Sequence, residues 1–244
     1  MARYDIIGVN YADLRRPDPR IAAAITAALG DAQTVINVGA GTGSYEPDGR
    51  MVTAVEPSAA MIAKRTRPAA AVIQGAAEAL PFADNSFDAA MAILTIHHWR
   101  DKAAGMAELR RVTRGPILLL SFDSTQRPWI TDYLPALAHL DDAIMPAMTD
   151  YAAWLGDVQI TPLPVPHDCH DGFLHAWWRR PHAYLDPRIR SGSSSFWELD
   201  GLEDGLARLA DDLDSGAWGA RYGHLMALDV YDAGYRLIRA AGKG

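Results

Sequence analysis

Apolar residues along the chain fall into two rhythms. Val35, Ile36 and Val38 form a short β-branched run, Met51–Val55 a second, Ala70–Ile73 a third and Asp88–Leu94 a fourth. Pro116–Phe122 makes a fifth. Short, continuous runs of this kind predict parallel strands buried on both faces. Between them the spacing changes to the helical period. Arg20–Leu29 places Ile21, Ile25 and Leu29 on one stripe, and Gly30 ends it. Pro57–Arg67 and Lys102–Val112 predict two further helices. Strands alternating with helices predict an α/β chain with a parallel sheet. The second half is less regular. Val158–Val165 predicts a sixth strand, with prolines at 162, 164 and 166 that make it an edge or a strand end. Leu202–Leu213 predicts a helix, Asp232–Arg239 a last strand, and Gly192–Ser195 a loop.

The first strand runs straight into Gly39-Ala40-Gly41-Thr42-Gly43, and the second ends in Glu56. Glycine permits positive φ and lets a ligand approach bare backbone. A carboxylate at the end of the second strand accepts hydrogen bonds from ribose hydroxyls. The pair predicts a nucleoside-type ligand over the carboxyl ends of neighbouring strands. A dinucleotide fingerprint needs glycine at its first, third and sixth positions. Here the sixth is Ser44, and the glycines fall at the first, third and fifth.

Gly-x-Gly-x-Gly followed by a strand ending in Glu56 resembles motif I and the next acidic position of class I S-adenosylmethionine-dependent methyltransferases. The stretch Gly75-Ala76-Ala77-Glu78-Ala79-Leu80-Pro81-Phe82-Ala83-Asp84-Asn85-Ser86-Phe87-Asp88 resembles the family's Gly-Asp-Ala-Glu-x-Leu-Pro-Phe-x-Asp-x-Ser-Phe-Asp segment. Thr95-Ile96-His97-His98-Trp99 resembles the segment after strand four. The likeness is to the small-molecule, ubiquinone/menaquinone methyltransferase-like branch, type 11. It implies a doubly wound, seven-stranded Rossmann-like sheet of order 3-2-1-4-5-7-6 with an antiparallel last strand. It implies S-adenosyl-L-methionine as cofactor. The methionine end then falls to Tyr11 with Arg15 or Arg16, and the glycine loop to Gly39, Ala40, Gly41 and Gly43. The ribose falls to Glu56 beside Pro57 and Met61, and the remaining contacts to Ala76, Ala77, Glu78, Leu94 and Thr95. Asn37 stands where the family usually has an acid, and Ala76 where it usually has an adenine-binding Asp. Backbone groups or Glu78 are left to hold the adenine.

The chain has 244 residues and a formal net charge of −7. That length suits one α/β domain: residues 1–125 as the cofactor-binding half, residues 126–244 as sheet completion and cap. The acidic balance argues against nucleic acid and anionic membranes as partners. It leaves a small-molecule substrate and a monomer or homodimer. Cys169 is the only cysteine, so no internal disulfide forms. No leader sequence or bilayer-length apolar run is evident, which points to the cytoplasm. The second half is rich in tryptophan and histidine. It predicts an aromatic-rich cap over an apolar substrate pocket, with most of the tryptophans filling the cap's own core.

Methyl transfer is an in-line displacement that depends on alignment, and a base helps when the acceptor is a hydroxyl or carbon acid. His98 is the first candidate because it follows strand four, with His97 second. His167, with Asp168 and His170, forms another constellation; it lacks third and fourth ligands and is not read as a metal site. Two other functions are open to the sequence: a nicotinamide-dependent oxidoreductase on a Rossmann-like sheet, and a catalytically inactive S-adenosylmethionine-binding regulatory protein.

Overall fold

The β-branched run at Val35–Val38 becomes the middle of a sheet. A computed structural model gives the fold, and the residues it describes are 14–65 and 70–242. The first five strands are β1 (Thr34–Val38), β2 (Met51–Glu56), β3 (Ala71–Gln74), β4 (Ala89–Ile93) and β5 (Ile117–Phe122). The later four are β6 (Val158–Pro162), β7 (Val165–Pro166), β8 (Val230–Tyr231) and β9 (Tyr235–Ala240). Seven of these form one sheet in the order β3-β2-β1-β4-β5-β9-β6. With its own strands counted in turn, that is the expected 3-2-1-4-5-7-6. The neighbours from β3 to β5 pair in parallel, and β9 runs antiparallel between β5 and β6.

Alternation along the strands separates two cores. Val35, Met91, Leu118 and Leu120 face one side, with Ile21, Ile25 and Leu29 of helix α1 (Pro19–Ala28) and its C-cap. Ile36, Val38, Ala90, Ala92 and Leu119 face the other. There they meet Met106, Leu109 and Val112 of α3 (Lys102–Val112), which follows the short α2 (Ala59–Ala63). Helix starts follow side-chain chemistry. Asp18, Ser58 and Asp101 each accept a backbone N–H in the first turn of α1, α2 and α3.

The second half departs from the sequence reading in particular places. The sixth strand stops at Pro162, and Val165–Pro166 instead pairs with Val230–Tyr231 in a separate ladder. Prolines 162, 164 and 166 donate no ladder hydrogen bond, so the edge cannot continue through them. The last strand begins at Tyr235 because Asp232 accepts from Gly234 N at 3.0 Å and Gly234 sits at φ +97°, which holds a turn. Ser194–Trp197 is a 3-10 turn rather than open loop. Helices α4 (Ile130–Tyr133), α5 (Pro135–Ile144) and α6 (Met148–Leu155) follow β5. After α7 (Pro187–Arg190) come α8 (Glu203–Ser215) and α9 (Ala217–Tyr222). Trp129, Trp178 and Trp218 are buried. Trp129 packs edge-on against Tyr133, Tyr184 and Trp218 at 5.3–6.0 Å. No helix among the described residues is long and apolar enough to cross a membrane.

Candidate active site

The loop after β1 needs glycine for a steric reason. Gly39 has φ +70°, and a Cβ there would lie 2.1 Å from Thr95 Oγ1. Several of the loop's amides are engaged within the protein. Gly39 N and Ala40 N donate to Val55 O at 2.8 and 3.1 Å, and Gly41 N donates to Glu56 Oε2 at 2.8 Å. Residues 41–50 pass through turns into β2 with no helix between. The loop therefore lacks the helix N-terminus that a pyrophosphate uses. That argues against a nicotinamide dinucleotide here. What remains is bare backbone beside a carboxylate.

Glu56 also accepts from Ser58 N at 2.9 Å, through Oε1. Burial raises its pKa, opposed by the two amides and by Arg65. Each oxygen keeps lone-pair capacity for a further donor.

A cavity of about 810 Å³ opens over this loop, large enough for a nucleoside cofactor and part of a second molecule. Gly39, Ala40, Gly41, Glu56, Pro57 and Met61 line one side. Ala76, Ala77, Glu78, Leu94, Thr95 and His98 line the other. Gly43 is buried outside the lining, against Glu46 and Arg65. Arg16 is exposed and does not line it, whereas Arg15 does. Tyr11 lies outside the described residues. Glu78 Oε1 already accepts from Arg100 N and Asp101 N at 2.8 and 3.1 Å.

Two buried networks under the cavity escaped sequence reading. Asn37 Nδ2 donates to Glu46 Oε1 at 3.1 Å, and Arg65 holds both Glu46 oxygens at 2.7 and 2.8 Å. Arg65 also donates to Gly41 O at 3.2 Å. Further along, Arg15 Nε donates to Asp171 Oδ1 at 2.6 Å and Tyr45 Oη to Asp171 Oδ2 at 2.8 Å. The nearest signal was position: Tyr45 and Glu46 immediately follow the glycine run, and both are buried.

The histidines separate. Leu94 leaves β4 at φ +52°, an uncommon conformation for a branched side chain. The chain then enters a 3-10 turn at Ile96–His98. His98 lines the main cavity and is exposed. Its pKa is pushed down to about 4 by desolvation, opposed by Glu198 and aided by Lys102. His97 packs on it with ring centroids 3.9 Å apart and lines a smaller recess instead. Desolvation, then His98, Lys102 and Arg15, hold the His97 pKa well below the usual range. His167 lines neither space, and its N donates to Asp229 O. Asp168 turns to Arg20 at 2.7 Å. The recess shares Arg15, Leu94 and His98 with the main cavity.

Comparison with known proteins agrees with this arrangement. Residues 36–116 match the family described as "Methyltransferase domain". A demethylmenaquinone methyltransferase of Renibacterium salmoninarum is 32% identical over 187 residues, 64% of this chain and 78% of the relative. One from Paenarthrobacter aurescens is 30% identical over 192 residues, 66% and 75% of the two chains. Among solved structures, a putative methyltransferase from an antibiotic biosynthesis pathway of Anabaena variabilis superposes with a TM-score of 0.87. It is 36% identical, with 93% of this chain and 99% of that one covered. A sheet of this order, a glycine loop closed on its own carboxylate and relatives matched over most of their length make the chain a member of the class I S-adenosylmethionine-dependent small-molecule methyltransferases.

Proposed function

We propose that the chain methylates a small aromatic or apolar acceptor, with His98 orienting the acceptor's nucleophilic atom. One observation carries the reading: His98 and Leu94 stand where the main cavity and the recess meet. S-adenosylmethionine supplies an electrophilic methyl group when bound. The residues fit it through a bare glycine loop, a large partly apolar cavity and a buried carboxylate with lone pairs to offer. Glu56 would take the ribose hydroxyls, and Met61 and Leu94 would give apolar contact. Glu78 would offer its second oxygen to the base, in place of an acid at Ala76.

His98 is neutral at physiological pH, so it accepts a hydrogen bond from an acceptor O–H or N–H and aligns the lone pair. Alignment is the larger part of such catalysis. Leu94 and Trp99 wall the site and exclude water. The relatives named for demethylmenaquinone support an acceptor built on a flat ring. His98→Ala should lower kcat roughly a hundredfold, while S-adenosylhomocysteine affinity by calorimetry stays within twofold. Full turnover in the variant would remove His98 from the reaction.

A further inference from the structure

His175 is 1% exposed, and neither of its ring nitrogens has a hydrogen-bond partner. Buried polar atoms are ordinarily paired, so an orphaned pair facing a cavity marks a place where a partner belongs. His175 lines the recess beside His98, with its ring 5.1 Å from that of Phe122. Asp141, on α5, lines the same recess and is 2% exposed. Among the described residues its carboxyl makes no hydrogen bond. The walls between them are Phe122, Met145, Phe173 and Tyr235, with Ser193–Ser195 at the rim.

We propose that this recess binds a hydroxyl group carried on the ring of the methyl acceptor, with His175 and Asp141 as its specificity-determining partners. The inference rests on the methyltransfer reading above and adds what the acceptor must carry. Size restricts the occupant. The recess holds about 60 Å³, roughly two water molecules' share of liquid volume. A substituent enters it; a whole ring does not.

Hydrogen-bond capacity then selects the substituent. Burial holds His175 neutral, with a pKa lowered to about 3, so it presents one donor and one acceptor nitrogen. A hydroxyl both donates and accepts, and so serves the imidazole and the carboxyl together. An ammonium would leave the imidazole N–H unpaired. A carboxylate would oppose Asp141. A carbonyl pairs with Asp141 only when the carboxyl is protonated, whereas a hydroxyl pairs with it in either form. Arg15 also borders the recess but is tied to Asp171.

The test uses 2-naphthol and 2-methylnaphthalene, which differ by a hydroxyl for a methyl group. Each is titrated by calorimetry into the full chain, with and without saturating S-adenosylhomocysteine. The wild type should bind 2-naphthol at least roughly tenfold more tightly. His175→Phe keeps a ring against Phe122, and Asp141→Leu keeps the volume. Both should bring the two ligands within twofold. Both should also raise the melting temperature, by roughly 2–4 °C, because an unpaired buried polar group has been removed. Equal binding by the wild type overturns the proposal, and so does discrimination that survives in both variants. Should S-adenosylhomocysteine itself fail to bind, the cofactor reading falls, while the comparison on the free protein still decides the recess.

Discussion

Glu56 is oriented before any ligand arrives, because Gly41 N and Ser58 N each hold one of its oxygens. Its outward lone pairs are thereby aimed over the loop. Glu56→Ala should weaken S-adenosylhomocysteine at least tenfold, since a charged acceptor is worth roughly 1.5–3 kcal/mol per bond; unchanged affinity would displace the ribose from this site. Asn37 shows a different economy of charge. The acid usually found at that position is absent, yet Glu46 sits against Asn37 with Arg65 neutralising it. The loop is thus braced by an ion pair through a residue nine positions on. His98 makes a claim about pH. Its pKa of about 4 reflects desolvation, with Glu198 and Lys102 pulling in opposite senses and His97 stacked beside it. The neutral form it needs persists above that value. The kcat/KM profile should show no His98 inflection between about pH 5 and 9. An inflection near 6.5 that vanishes in His98→Ala would mean the imidazole is solvated normally.

At the scale of elements, β5 is the strand on which both cores depend, with all six residues buried. Leu119 faces the α3 side and is 0% exposed. Leu119→Ala should cost about 2–5 kcal/mol in urea unfolding, and a loss under 1 kcal/mol would contradict a close-packed face. The strands β1 to β5 and helix α3 were legible in the sequence because each is continuous and local. Burial on both faces leaves an unbroken apolar run, and an amphipathic helix leaves a stripe. The cap was less legible. Its elements are short, prolines interrupt the edge, and its packing is set by distant pairs such as Trp129 with Trp178 O. The sequence puts most of the cap tryptophans in the cap's own core, and among them none lines either space. Phe122, Phe173 and Tyr235 do so instead. Asp141 and His175 left no trace in the pattern: an acid in a short helix and one histidine among eight become notable only when burial is known.

The whole molecule places its chemistry at the carboxyl ends of the parallel strands, where ligands of open α/β sheets collect. Holding desolvated ionisable groups there has a consequence for stability as a function of pH. His97, His98 and His175 are neutral in the folded chain well below their ordinary range. On unfolding near pH 5 each takes up a proton. Asp141, pushed up to about 7 by burial, acts in the opposite sense and loses a proton on unfolding in the same window. Arg127 opposes the Asp141 shift and Asp142 adds to it. Asp88, lowered to about 2, titrates beneath this range. Histidine uptake outweighs the Asp141 release, so stability falls as pH drops from about 6.5 towards 5. The melting temperature should therefore decline over that interval. His175→Phe removes one of the three uptakes and should make the decline shallower. Calorimetric scans of both proteins at pH 5, 6 and 7 decide the matter. A wild-type melting temperature that rises towards pH 5 would show that the carboxyls, not the histidines, dominate the site's proton balance.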